Sequence, residues 1–153
     1  MRWLGARREH SVFHTLGILW LGLVLGLTFV SATIKFQVPA LQRQAAFALG
    51  KHSFLVTNRI ELALALLLII ALVVRRSRGI TRPTFIASGI VLSILAFQTG
   101  WFMQVLVDRI DIIVAGGTPP PSSAHVIYVA IELLKVTALL WLGLFGGYTA
   151  ASK

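Results

Sequence analysis

The chain has 153 residues, 57% of them hydrophobic and only 12% charged, with a mean hydropathy of +0.86. Soluble domains carry about a quarter charged residues, so this composition excludes a soluble globular domain, a disordered chain and a fibrous repeat, and leaves room for about four membrane spans and little else. There are no cysteines, which removes disulfides, thiolate metal sites, iron–sulfur ligation and cysteine nucleophiles; the 14 Lys+Arg against 5 Asp+Glu give a net charge of +9, a bias that in a membrane chain first fixes topology.

Four apolar stretches predict four transmembrane helices in one domain covering residues 1–153. The first runs over residues 12–34. A basic start ahead of Val30-Ser31-Ala32 has the outline of a cleavable signal, and Arg7-Arg8 that of a twin-arginine export signal. The apolar run is nonetheless of spanning length, which predicts a retained helix with the arginines as topology signals. Residues 39–53 read either as a plain loop or as a short helix lying in the interface, with Leu41, Ala45, Ala48 and Leu49 on one face and Gln42, Arg43 and Lys51 toward water. The second span covers residues 54–74, the third 84–107 and the fourth 124–148. A basic turn at 75–83 and a polar turn at 108–123 separate the later spans; the latter contains Gly116-Gly117-Thr118-Pro119-Pro120-Pro121, which no helix continues through.

Arg2, Arg7, Arg8, Arg75, Arg76, Arg78, Arg82 and Lys153 fall on one side of this arrangement with Glu9 as the only acid, whereas the other side and the outer halves of the helices hold six basic residues and four acids. The basic side faces the cytoplasm, predicting both termini inside and a multi-pass protein of the bacterial cytoplasmic membrane.

Helices in lipid associate where small side chains let backbones approach. The first helix offers Gly22 and Gly26, the third a stripe of Gly89, Ser93, Ala96 and Gly100. The stripe favours close packing within the bundle and equally suits a dimer seam. Trp3 and Trp101 read as interface anchors, Trp20 and Trp141 as packing or lipid contacts.

The informative residues are polar ones inside the spans. Asn58, Arg59 and Glu61 lie in the second helix. The fourth carries His125, Tyr128, Glu132 and Lys135 at spacings of three, four and three, which puts all four on one face. The third adds Gln98 and Gln104 and ends at Asp108-Arg109. Given the orientation, these groups converge in the outer half of the bilayer, Glu132 about 10 Å and Lys135 about 15 Å below the start of their helix. A charge near a helix centre costs roughly 2.5–3.5 kcal/mol, so such groups face the bundle or a wet cavity. Arg59, Arg109 and Lys135 balance Glu61, Glu132 and Asp108. That set reads either as a buried ion-pair lattice fixing helix register or as a polar cavity for a ligand, ion or lipid headgroup.

No cofactor or metal is expected. His10 and His14 lie near one surface and His52 and His125 near the other, at helix ends beside water, a poor arrangement for bis-histidine haem or for zinc. There is no P-loop, dinucleotide fingerprint or HExxH, and no nucleophile motif. The basic residues are spread over termini and turns, without the pattern of a nucleic-acid binder. The expected partners are the lipid bilayer and either other membrane subunits or further copies of the chain.

Two stretches resemble a known family. Leu27-Thr28-Phe29-Val30-Ser31, Phe36, Pro39 and the run from Phe54 through Asn58-Arg59-Ile60-Glu61 form the first. The second joins Asp108-Arg109, Gly116-Gly117, Pro121-Ser122-Ser123-Ala124-His125, Tyr128, Glu132 and Lys135. Together they are similar to the uncharacterised four-helix membrane family related to transmembrane protein 205, in its bacterial domain-of-unknown-function branch. The segment before the last helix is much shorter here than in the eukaryotic relatives. The resemblance implies the four-helix fold and no chemistry. The expectation is a non-enzymatic membrane protein with a polar site made by Asn58, Arg59, Glu61, Gln104, Asp108, Arg109, His125, Tyr128, Glu132 and Lys135, serving small-solute or lipid handling; the alternative is an accessory subunit of a respiratory, photosynthetic or transport complex, or less favourably a haem or redox subunit.

Overall fold

The computed structural model describes residues 12–39 and 41–146. Trp3, His10, Tyr148 and the basic residues at both chain ends lie outside the described residues. Four helices, each long and apolar enough to cross a membrane, form an all-helical bundle. Helix α1 covers residues 12–34, passing through a π-helical stretch at Val24–Val30. Helix α2 is Arg43–Arg75, α3 is Arg82–Val114 with a π turn at Gln98–Phe102, and α4 is Ala124–Phe145. Alternate helices run in opposite directions, so the Arg75–Arg82 turn, the start of α1 and the end of α4 share one end, called here the basic end. The other is the far end.

Two helices are longer than their hydropathy indicated. Both α2 and α3 have 33 residues, about 50 Å at 1.5 Å per residue against roughly 30 Å of hydrocarbon. The polar segment after residue 43, expected as a loop or separate interfacial helix, is the first three turns of α2: it holds no glycine or proline before Gly50, and nothing breaks the backbone ladder. Likewise α3 passes Asp108 and continues to Val114. The overhang is held by Lys51, whose ammonium contacts Asp111 at 2.5 and 2.7 Å. At Gly50 an added Cβ would sit 2.5 Å from Lys35 Nζ, and burial holds that ammonium below lysine's ordinary value.

The ends of the helices have local causes. Gly116 adopts φ +85°, and Gly117 N–H donates to Ile112 O at 2.8 Å while Gly116 N–H donates to Ile113 O at 3.0 Å, the paired bonds of a Schellman ending. Arg109 then clasps the proline loop by donating to Pro120 O at 2.8 Å. At the basic end Gly79 (φ +79°) ends the 3-10 turn Arg76–Arg78, and Pro83 sits in the first turn of α3, where its missing N–H costs nothing.

The core has two parts. Phe13, Leu16, Trp20, Leu64, Leu68, Val91, Leu95, Leu139 and Leu142 fill the basic-end half. Phe102, Ala124 and Tyr128 with Phe54, Val105 and Leu106 fill the far-end half. The closest helix approach is not where the small-residue patterns placed it. An added Cβ at Gly17 would lie 2.6 Å from Gly143 N, so α1 and α4 touch backbone to backbone there, and His14 Nδ1 bonds Gly143 O. Gly22, Gly26, Gly89 and Gly100 have nothing within 4 Å of an added Cβ, and Ser93 and Ala96 are exposed. The spacing of the α3 stripe does place it on one face, but that face is the outer surface of the bundle rather than its interior.

Candidate functional site

At the level of Lys135, eleven residues from the start of α4 and ten from its end, all four helices contribute a polar side chain. That level is about 15 Å from either end of α4, so the cluster lies at mid-helix, with Lys135 at the depth its position in the helix predicts. Lys135, Glu132, Trp20, Gln98 and Glu61 are each 0–4% exposed. The Lys135 ammonium donates to Glu61 Oε1 at 2.6 Å and to Gln98 Oε1 at 2.9 Å. The Trp20 indole N–H donates to the same Glu61 oxygen at 2.8 Å, and Gln98 Nε2 donates to Glu132 Oε2 at 2.7 Å. Glu132 Oε1 lies 3.1 Å from the ammonium but outside hydrogen-bond geometry; among the described residues it is the one buried side-chain polar atom without a hydrogen bond.

The helices explain the convergence. Glu132 and Lys135 are one turn apart on the inward face of α4, and Tyr128 lies one turn nearer the far end. Gln98 opens the π turn of α3; such turns shift the residues presented to a neighbouring helix and recur at functional positions. Glu61 is buried in α2 between Thr57 and Leu64.

A narrow cleft leads from the cluster toward the far end. Its walls are Phe54, Thr57, Asn58 and Glu61 of α2, Gln98 and Met103 of α3 and Tyr128 of α4, and the cavity volume is about 10 Å³, enough for one water-sized occupant. Asn58 Nδ2 donates to Thr99 Oγ1 at 2.7 Å, tying α2 to α3 beside it. Tyr128 stacks between Phe54 and Phe102, ring centroids 5.0 and 6.1 Å away. Toward the basic end the cluster meets the apolar core, where the buried polar side chains, Ser88 and Thr84 of α3, bond within their own helix and its N-terminal cap.

Of the residues singled out in the sequence, Asn58, Glu61, Tyr128, Glu132 and Lys135 come together here. The others do not. Arg59, Gln104, Asp108 and His125 are exposed; Gln104 is 3.5 Å from Asp108 on its own helix, and Arg109 holds the proline loop. The three-against-three charge balance therefore does not form: the buried set is two carboxylates and one ammonium. Arg59 stays outside because it lies about 200° around the helix from the buried Thr57 and Glu61, and Arg109 because it reaches Pro120 O instead. Two members lie outside the ten residues expected for the site. Trp20, expected as packing or lipid contact, does pack, and its N–H also serves Glu61. Gln98, expected among the converging polar groups of the spans, joins the cluster itself, as its polarity in an apolar run signals.

The fold and the buried cluster define a multi-pass, all-helical membrane protein whose buried charges, among the described residues, are gathered at one point. Its sequence matches a domain of unknown function, DUF4149, over residues 16–111, more than half of the chain, so the protein belongs to that family. The matched residues run from α1 into the last turns of α3 and stop short of α4. No curated protein and no solved structure matches it.

Proposed function

We propose that the chain is a non-enzymatic protein of the bacterial cytoplasmic membrane that handles a small polar solute at the cleft between α2, α3 and α4. In this reading both termini are cytoplasmic, set by the Arg75, Arg76, Arg78 and Arg82 turn, and the cleft opens outward. The supporting observation is the polar line Thr57, Asn58, Glu61 along one wall, beside a fully buried ion cluster and on its far-end side. Intramembrane ionisable groups are costly and cluster on solute and proton pathways. A volume of about 10 Å³ favours an occupant the size of a water molecule over a lipid headgroup. A wider kinship with the transmembrane protein 205 relatives is part of the same proposal, resting on the residues quoted above.

The absence of native cysteine makes the test direct. Cysteines placed singly at Asn58 and Met103 are expected to react with silver ion, a thiol reagent of about water size, added from the outside, and one at Leu64 to stay unreactive. Equal protection at all three positions overturns the cleft; labelling only from the cytoplasmic side overturns the orientation.

A second reading, an accessory subunit or homo-oligomer, is favoured by one observation: the Gly89, Ser93, Ala96 and Gly100 stripe faces outward with open space over its glycines. Mass measurement after extraction in mild detergent tests it, and a lone monomer counts against it.

A further inference from the structure

We propose that the Glu61–Lys135–Glu132 cluster binds one exchangeable proton, shared between the two carboxyls and drawn from the far end through the cleft. This deepens the solute reading by naming the species, and its access route rests on that reading.

Charge in the cluster calls for one proton. All four helices face the two carboxyls: α1 offers Trp20, α2 Glu61, α3 Gln98, and α4 Lys135 and Tyr128. Lys135 is the only cation among them. With both carboxyls ionised the site carries a net −1 at mid-helix, sealed from water on the basic-end side. Uncompensated charge of that kind is what buried sites do not tolerate. One proton brings the cluster to neutrality.

The geometry of the cluster suits a proton better than a metal ion. The ammonium already occupies the space between Glu61 Oε1, Gln98 Oε1 and Glu132 Oε1, at 2.6, 2.9 and 3.1 Å. A metal cation would have to share that space with a positive charge; a proton would not. Glu132 Oε1 has no hydrogen bond, so the cluster has an unused position where a proton can reside. Because both carboxyls face one ammonium, the proton belongs to the pair rather than to either residue.

The cleft gives the proton its access. Glu61 is both a member of the cluster and a wall of the cleft, together with the hydroxyl of Thr57, the amide of Asn58 and the phenol of Tyr128. Toward the basic end Leu64, Leu68, Leu95, Leu139 and Leu142 close the path. Uptake transfers a proton from hydronium in the cleft to a carboxylate oxygen, leaving water and a neutral acid; release is the reverse, and no other reactant is needed.

Infrared spectroscopy of the protein in lipid nanodiscs at neutral pH tests this. The wild type is expected to show a protonated-carboxyl C=O band that shifts in heavy water. The band disappears in Glu61→Gln and in Glu132→Gln, since either leaves one carboxylate for one ammonium, and about doubles in Lys135→Met. A wild type without the band overturns the proposal and needs no variant to fold; so does a band that survives both Gln substitutions. Asn58→Leu, which plugs the cleft, is expected to keep the band and slow its heavy-water shift severalfold. An unchanged exchange rate overturns the route and with it the cleft reading, whereas absence of the band overturns the proton alone.

Discussion

Lys135→Met isolates the contribution of the buried cation. The wild-type ammonium is fully buried, makes hydrogen bonds of 2.6 and 2.9 Å to Glu61 and Gln98, and lies 3.1 Å from Glu132. Methionine has nearly the same length and volume, so packing changes little and the loss is mainly electrostatic. Breaking a buried pair by removing one partner costs about 3–5 kcal/mol in soluble proteins. In a bilayer the separated helices find other polar partners, which lowers single hydrogen-bond contributions to about 0.6 kcal/mol on average. With the cation gone the second carboxyl must also take up a proton to leave the site neutral, and the bonds of the ammonium are lost, which places the expected loss at about 3 kcal/mol, a shift of roughly two orders of magnitude in the unfolding equilibrium. Reversible unfolding in mixed lipid–detergent micelles, followed by far-UV circular dichroism, measures it. The triple change Lys135→Met, Glu61→Gln, Glu132→Gln removes every charge and is expected to recover most of the loss, because neutral replacement of a buried ionic set is often tolerated. If the single variant is as stable as wild type, or the triple no better than the single, Lys135 acts by packing and the electrostatic account fails.

Three further outcomes follow from the same geometry. Trp20→Phe keeps an aromatic ring but removes the N–H that serves Glu61 Oε1, and is expected to cost about 1–2 kcal/mol in the same unfolding measurement. Gly17→Leu forces a side chain into the α1–α4 contact, where even a Cβ meets Gly143 N at 2.6 Å; a loss of about 1–3 kcal/mol is expected from overpacking, while Gly89→Ala, with open space around it, leaves monomer unfolding unchanged. Lys51→Ala removes the exposed pair with Asp111 and is expected to cost under about 1 kcal/mol, a difference that shrinks at high salt; a larger effect would mean the overhang is essential to the bundle.

The number of spans was legible because hydropathy in this chain changes sharply at the turns, and Gly116 followed by three prolines marks a stop on any reading. The continuation of α2 back to Arg43 and of α3 on to Val114 was not. Polar residues lower the hydropathy there, but helix formation needs only an unbroken backbone ladder, and the two overhangs support each other through Lys51 and Asp111. The register Tyr128, Glu132, Lys135 was legible because spacing fixes a shared face. Spacing does not fix which way a face points, and the Gly89–Gly100 stripe shows the cost of that: its residues share a face, turned outward. Trp20 was opaque for a different reason. A tryptophan in an apolar run satisfies packing and lipid contact equally well, and only a carboxylate on another helix reveals the use of its N–H.

The distribution of the cluster over the four helices also bears on biogenesis. Synthesis proceeds from the N-terminus, so α2 reaches the bilayer with Glu61 while its cation is still to be made. Helix α4 arrives differently, with Glu132 and Lys135 one turn apart and 3.1 Å between their charged atoms, carrying its own counterion through insertion. Docking of α4 then turns Lys135 from a private partner of Glu132 into a shared one. A nascent chain halted after Val114 holds a carboxyl that no other helix can neutralise, which marks an incomplete bundle chemically before any misfolding becomes visible in its shape.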